Sequence, residues 1–211
     1  VFLCTYIFKG KIWGETFVDA LIAAHKRGVD VRVIVDWLGT ALYFTRPWKR
    51  LRKAGIKVYR FTPPRLFPPM LSINLRMHRK GLVCAHTGFT GGMNVSDGHV
   101  LECPDVNHIQ DLHFVCRGPV VTELREAFLM DWTFVTNKDD GCPLVIPPVE
   151  GEMDCRVVLD GPGSPIDPLQ DLLCGVFSCA QKRITVLTPY FLPPREMISS
   201  LVSAAARGVD V

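Results

Sequence analysis

Long apolar runs and closely spaced cysteines are scarce in this sequence of 211 residues, and each scarcity excludes a class of protein. The longest apolar runs, residues 1–8 and 143–149, are much shorter than the roughly eighteen residues that a membrane-spanning helix needs. The eight cysteines contain no CxxC pair, and their density is below that of a disulfide scaffold. With 48% hydrophobic and 21% charged residues, the composition excludes disorder and collagen and predicts a packed core.

A zinc site is the one metal centre that the sequence suggests, through Cys103, His108, His113 and Cys116. Their spacings lack the close ligand pairs of zinc fingers and ribbons. Most of the cysteines lie among aliphatic residues, as small buried thiols do. We therefore expect neither a metal nor another cofactor.

Acidic residues are absent between Asp36 and Asp97, although the formal net charge of the chain is only +3. Eleven of the 24 basic residues lie in this window: Arg46, Lys49, Arg50, Arg52, Lys53, Lys57, Arg60, Arg65, Arg76, Arg79 and Lys80. A solvated helix face explains a short basic cluster. A window this long without a carboxylate favours phosphates or anionic lipid headgroups as the partner, because they relieve its self-repulsion.

Strand-like and helical segments alternate along the chain, which predicts an α/β fold with a sheet covered on both faces. A proline-rich loop over residues 62–71, with apolar residues between the prolines, interrupts this alternation. The predicted segments are strands over residues 1–7, 29–36, 56–61 and 112–116 and helices over residues 15–27, 46–54 and 120–134.

The opening pattern returns after a linker rich in Asp, Gly and Pro. We predict strands at 156–159 and 184–187 and helices at 167–180 and 195–207. Residues 21–31 and 201–211 are identical at seven of eleven positions, which indicates an internal duplication. The predicted organisation is a first half over residues 1–136 whose start is cut, a linker over 137–153, and the beginning of a second half over 154–211. We therefore expect the sequence to be a fragment.

His78 and Lys80 are the first candidates for chemistry, since residues i and i+2 of a strand share a face. A His two residues from a Lys is by itself more often a surface pair. The following Gly91, Gly92 and Asn94 can bring backbone N–H groups and an amide close to an anion. Together with the basic window, they favour a nucleophile beside a phosphate-binding group.

The sequence resembles the phospholipase D superfamily, and within it the bacterial cardiolipin synthases. The resemblance rests on Arg-Met-His-Arg-Lys at 76–80, Gly-Phe-Thr-Gly-Gly-Met-Asn at 88–94, Gln-Asp-Leu-His at 110–113, Gly-Pro at 118–119 and Asp-Trp at 131–132, and it spans essentially the whole chain. It implies a phospholipase D-like sandwich, an α/β fold with a mixed sheet flanked by helices. Two such halves enclose the active site of family members; here the first half would be nearly complete and the second truncated.

The resemblance also implies a reaction. One His attacks the phosphodiester to form a phosphohistidine, the other protonates the leaving alkoxide, and an acceptor alcohol then reverses the exchange. No metal is required. The residues that match family positions are His78, Lys80 and Asp111 as catalytic groups, with Asp111 orienting the active-site His, and Lys80, Asn94, Gly91 and Gly92 as ligands of the substrate phosphate.

The sequence departs from the family pattern in two places. Ala85 stands where the family has Asp, and the stretch from His78 to Asn94 is one residue short, so we expect damaged positioning of the site. Only one of the two family motifs lies within residues 1–211. We therefore expect the chain to be inactive alone and completed by the missing second half or by a homodimer.

The function expected from the sequence is a phosphatidyltransferase of the cardiolipin synthase type that acts on phosphatidylglycerol-like lipids. Another phospholipase D-type phosphodiesterase, either a lipase or a nuclease, and a non-catalytic protein that binds anionic lipid remain open. The apolar proline loop and the lack of aromatic residues among the basic ones disfavour nucleic acid as a partner. We expect anionic phospholipid and the membrane surface as partners, with the protein peripheral or anchored at the cytoplasmic side of the cell membrane.

Overall fold

The computed structural model describes residues 1–41, 47–63, 65–66, 69–70, 76–104, 106–143, 145–160 and 167–211. They form two compact units, Val1–Val157 and Val158–Val211. The strands are β1 Phe2–Thr5, β2 Arg32–Asp36, β3 Lys57–Phe61, β4 Arg65–Leu66, β5 Pro69–Met70, β6 Gly81–Cys84, β7 Thr87–Gly91 and β8 His113–Arg117. The helices are α1 Trp13–Lys26, α2 Trp37–Ala41, α3 Trp48–Lys53, α4 Val120–Thr136, α5 Pro168–Cys179 and α6 Arg195–Ala206, with a 3₁₀ turn at Asp97–His99.

The first unit is built on a six-stranded sheet in the order β3-β2-β1-β6-β7-β8. β1, β2 and β3 are parallel, because helical segments connect them, whereas β6, β7 and β8 are antiparallel to their neighbours. The mixed α/β sheet expected from the sequence is therefore confirmed.

Each face of the sheet has its own core, because successive strand residues point to opposite sides. Leu3, Val33 and Val58 pack with α1 and α3 on one face. Phe2, Ile34 and Val83 pack with Phe128 and Trp132 of α4 on the other.

The predicted helices agree with α1, α3, α4, α5 and α6 to within two residues. The strands predicted at 156–159 and 184–187 are wrong, since residues 156–160 and 184–187 adopt no strand and residue 183 makes only an isolated bridge to Asp210. A strand needs a neighbour to accept its backbone hydrogen bonds. Apolar pattern alone therefore does not produce one.

The second unit consists of α5 and α6 packed around Phe177, Ile184, Ala204 and Val209. The end of α6 repeats the end of α1. Gly28 has φ 84° and Gly208 has φ 87°, and the N–H groups of Val29 and Val209 donate to Ala24 O and Ala204 O, each at 3.2 Å. The sequence duplication therefore corresponds to the same C-terminal geometry at the ends of α1 and α6.

The proline-rich segment forms a small two-stranded ribbon of β4 and β5. Of the four apolar residues that we expect at a lipid interface, Leu66 and Met70 lie in this ribbon, whereas positions 67 and 71 lie outside the described residues. Within the part of the chain that the structure describes, no helix is both long and apolar enough to cross a bilayer.

Candidate active site

His78 and Lys80 lie on the same side of the chain, around the ring of Tyr6, which directly follows β1. The imidazole and phenol ring centroids are 5.1 Å apart, and Lys80 Nζ is 5.5 Å from the Tyr6 ring. Lys80 Nζ also donates to the carbonyl oxygen of His78 at 2.6 Å. The predicted strand begins only at Gly81, but the alternation of side chains extends back from it.

The residues that alternate with these two, Met77 and Arg79, point to the opposite face and anchor the segment. Met77 is buried in the core against α4. Arg79 Nη1 donates to both carboxylate oxygens of Asp131 on α4, each at 2.7 Å. Burial of one residue and the ion pair of the other hold the segment in register, so that His78 and Lys80 face the site.

Asp36, at the end of β2, holds the same segment in place through a hydrogen bond to its backbone. The sequence alone did not identify it as a site residue. It is fully buried. One carboxylate oxygen accepts from Met77 N at 3.1 Å and the other accepts from Gly39 N at 2.9 Å. A carboxylate that directly follows an almost continuous apolar strand is the sequence signal that could have identified it, since buried charges are rare without partners.

The strand register places residues of the neighbouring strands directly beside Lys80, in a row that runs across the sheet. Gly81 pairs with Cys4 and with Thr90, and Gly91 pairs with His113. Continuing the pairing by one residue sets Lys80 opposite Gly91, so Lys80 and His113 flank Gly91 on one face of the sheet. Because Gly91 has no side chain, the chain at this position lies in close contact with Leu112 and His113.

Asn94 joins the site through its amide oxygen, which accepts from Ile7 N at 3.0 Å. The next residues, Phe8 and Val95, form a parallel bridge, and Lys9 N donates to Val95 O at 3.0 Å. These contacts fix the loop after β7 beside the loop after β1. The NH₂ group of Asn94 carries the two donors of this side chain, and these are the atoms that can contact an anion.

Gly91 and Gly92 allow the chain to approach β8 closely. A Cβ at Gly91, whose φ is 155°, would lie within 2.6 Å of His113 Cα, and a Cβ at Gly92 would overlap the carboxylate of Asp111. Gly92 N donates to Leu112 O at 2.9 Å, so this N–H group takes part in chain pairing. The geometric role of the two glycines is close approach; their expected phosphate contact stays a prediction.

Asp111 lies two residues before the start of β8, next to Gly92. Burial lowers the pKa of Lys80, His99 and His113, and the negative charge of Asp111 opposes this shift in all three. The carboxylate whose charge raises the pKa of His78 is instead that of Asp36. The orienting role expected for Asp111 therefore stays a prediction, and the structure brings this residue next to Lys80 and His113.

Burial and charge set the protonation of both candidate catalytic side chains. Burial lowers the pKa of Lys80 to about 8, against the opposing effect of Asp111. Burial and the charge of Lys80 also lower the pKa of His78. At neutral pH this arrangement has a neutral imidazole beside a cationic ammonium group, which are the forms required for nucleophilic attack and for anion binding.

The missing family Asp falls at a tight turn. Ala85 and His86 connect β6 and β7, and Cys84 pairs with Thr87 directly before and after them. Ala85 has φ 51°, a left-handed conformation that favours glycine. Register is regular from Cys84 back to Gly81, so the shortening is confined to the turn. From the sequence we expect Ala85 to disturb the position of the site residues. The pairing of β6 with β7 shows no such displacement.

The acid-free basic window is partly neutralised by carboxylates from outside it. Arg50 on α3 pairs with Glu15 and Asp19 of α1, and Arg79 pairs with Asp131. The uncompensated self-repulsion inferred from the sequence is therefore smaller in three dimensions. Among the described residues, no group of three or more His, Cys, Asp or Glu side chains is arranged to hold a metal ion.

Comparison with known families agrees with this geometry. Residues 1–132 match the family described as "Cardiolipin synthase, PLD-like domain". The chain belongs to this family of phospholipase D-like domains. The predicted resemblance is therefore confirmed, and with it the phospholipase D-like fold.

Two curated relatives come from Bacillus subtilis (strain 168). "Probable cardiolipin synthase YwiE" is 31% identical over 213 residues, and "Major cardiolipin synthase ClsA" is 33% identical over 217 residues. Each alignment covers 98% of this chain but only 42% and 44% of those proteins, so the chain spans less than half of their length. Among solved structures, a polyphosphate kinase from Porphyromonas gingivalis is similar in fold, with a TM-score of 0.52 at 14% identity over 99% of this chain and 31% of that one.

Proposed function

We propose that this chain carries one half of the active site of a phosphatidyltransferase of the cardiolipin synthase type, with His78 as the nucleophile. The observation that carries the proposal is the pairing of His78 and Lys80 around Tyr6 in a chain of this family. The names of the curated relatives support the same reaction class.

In the proposed first step, an imidazole nitrogen of His78 attacks the phosphorus of a phosphatidylglycerol-like lipid. The phosphorus–oxygen bond to the leaving glycerol breaks, and the alkoxide takes a proton from a second histidine. The lowered pKa of His78 supports the role of nucleophile over that of acid, since the neutral form attacks.

In the second step, the acceptor alcohol gives its proton to the second histidine and its oxygen attacks the phosphorus, so that the phosphorus–nitrogen bond breaks. Lys80 and the Asn94 amide balance the charge on the phosphoryl oxygens. The second histidine comes from a second copy of the motif, either in a second half or in a second chain. The matching halves 1–136 and 154–211, with the linker 137–153, belong to this proposal.

The partner in this proposal is an anionic phospholipid surface. Lys49, Arg52 and Lys53 of α3 and the nearby Lys57 are exposed, and their positive charge supports binding to anionic headgroups. We place the protein at the cytoplasmic face of the membrane for the same reason. A non-catalytic lipid-binding role is the alternative, and Ala85 is the feature that favours it.

The test uses the protein at its native length with phosphatidylglycerol vesicles. The expected result is cardiolipin formation and an acid-labile phosphatidyl adduct on His78, detected by mass spectrometry. His78→Asn removes both and leaves vesicle binding intact, because the basic surface supplies the binding. His86→Asn, at the exposed turn between β6 and β7, is the matched control and retains activity. An adduct on another residue contradicts the proposal.

A further inference from the structure

A cavity of ≈ 270 Å³ opens beside Lys80, between the sheet and the first turns of α1. Ligand sites in proteins are concave, open to solvent and mostly apolar, with a few polar groups that orient the ligand. A space of this kind next to a candidate phosphate-binding group is therefore a candidate ligand site.

The floor of the cavity is apolar. Leu82 and Phe89 pair across β6 and β7 and point to the same face as Lys80, one row further along the sheet. Phe17 of α1 and Val100 complete this part of the lining. A hydrocarbon group is the chemistry that such a surface accepts.

The rim of the cavity is polar. Lys80, Asn94, His99 and His113 all line it. The ammonium, amide and imidazole groups of these four side chains carry hydrogen-bond donors, so a ligand with polar oxygen atoms at the rim is expected.

We propose that the cavity binds the proximal part of one fatty acyl chain of the phospholipid whose phosphate contacts Lys80. The acyl methylenes lie on Leu82 and Phe89, and the ester oxygens face the imidazoles of His99 and His113. A nucleic-acid phosphodiester offers only polar sugars and flat bases beside its phosphate and does not match this floor. The proposal rests on the proposed function and specifies its substrate as a lipid.

Trp13 provides a direct probe, because it lines the cavity from the first turn of α1 and is 36% exposed. A short-chain lysophosphatidylglycerol brominated on its acyl chain is expected to quench Trp13 fluorescence. The Trp13→Phe variant identifies the signal among the four tryptophans. Quenching that persists in Trp13→Phe places the chain elsewhere and overturns the proposal.

The affinity test uses the protein at its native length and lysophosphatidylglycerols with acyl chains of four, six and eight carbons, below their micelle concentrations. Glycerophosphoglycerol is the deacylated reference. We expect affinity to rise about fourfold per methylene until the cavity is full. Val100→Phe fills the cavity and removes this gain, whereas Val202→Phe, at a residue of α6 that is 63% exposed, retains it.

The outcomes separate this proposal from the proposed function. Equal affinity for glycerophosphoglycerol and its acylated forms overturns the acyl site while leaving the phosphate site intact. Failure to bind any of these compounds overturns both. Thermal unfolding of Val100→Phe confirms that its loss of affinity does not come from unfolding, and the quenching experiment tests the site without that substitution.

Discussion

The carboxylate of Asp36 accepts a hydrogen bond from the backbone N–H of Met77 at 3.1 Å, and so ties the end of β2 to the residue that precedes His78. The two residues are 41 positions apart in the chain. The contact explains how a segment outside the regular strand is held in place, with Arg79 and Asp131 anchoring it from the other face. Asp36 is thus a positioning residue for the proposed nucleophile.

Asp36→Asn is expected to lower the pKa of His78 further, because the charge of Asp36 raises it. Asn has one acceptor oxygen in place of two, so either Met77 N or Gly39 N loses its partner, at a cost of about 1–3 kcal/mol. Histidine titration by NMR measures the first effect and urea unfolding the second. Asp19→Asn, on the exposed side of α1, is the control. An unchanged His78 titration would show that Asp36 acts only on stability.

Lys80 is expected to make anion binding depend on pH. Its pKa of about 8 in the folded protein means that the ammonium group loses its proton above this value. The affinity for glycerophosphoglycerol should therefore be constant below about pH 7 and fall toward tenfold per pH unit above 8. Isothermal titration calorimetry measures it. Lys80→Met should remove both the affinity and its slope, whereas Lys49→Met on the exposed face of α3 should keep them.

The same pKa shift has a consequence for folding stability. The folded-state pKa of Lys80, about 8, lies below its ordinary value of 10.5, so the unfolded chain binds more protons between these values. The contribution of Lys80 to the free energy of unfolding therefore rises with pH across this window. Urea unfolding of the wild type and Lys80→Met should show a difference in slope there. Parallel curves would contradict the buried state of this side chain.

Asp97 is expected to stabilise the start of α1. Its carboxylate accepts from Lys11 N at 2.8 Å, Ile12 N at 3.3 Å and Trp13 N at 2.8 Å. Loss of such a cap costs about 1–2 kcal/mol, so Asp97→Ala should lower the free energy of unfolding by that amount. Asp19→Ala, on the same helix, is the control.

The stability from Asp97 should also depend on pH. Burial alone would raise the pKa of Asp97, but the hydrogen bonds from Trp13, Lys11 and Ile12 outweigh burial and lower it below 3.8. The stabilisation is therefore present above that value and is lost as the pH falls through the folded-state pKa. Acid unfolding curves of the wild type and Asp97→Ala should converge at low pH; a constant difference would contradict the assignment.

Ala85→Gly is expected to stabilise the protein by about 1 kcal/mol, since glycine adopts the observed positive φ without the steric cost that Ala bears. Ala23→Gly, the same substitution on the exposed side of α1, should have the opposite sign and a similar size. Urea unfolding compares them. Replacement of Ala85 by Asp-Gly in the protein at its native length should leave the proposed transferase activity at the wild-type level, because the register from Cys84 to Gly81 is already regular. A large gain in activity would show that the short turn does disturb the site.

The sequence by itself determined five of the six helices and the family, and it singled out His78 and Lys80 as candidates for the site. Amphipathic periodicity and glycine stops are local signals, so α1, α4, α5 and α6 could be read from neighbouring residues. The spacing of His78 and Lys80 was informative for the same reason, because strand alternation is a local property.

Only the tertiary structure decided which distant groups surround those residues. The link from Asp36 to Met77, the position of His113 beyond Gly91 and the ion pair of Arg79 with Asp131 depend on strand order and register. The strands that were wrongly predicted at 156–159 and 184–187 show that local sequence does not reveal whether a partner strand is present. A helix satisfies its backbone hydrogen bonds within one segment, whereas a strand, a cavity or a buried carboxylate depends on partners that are remote in sequence.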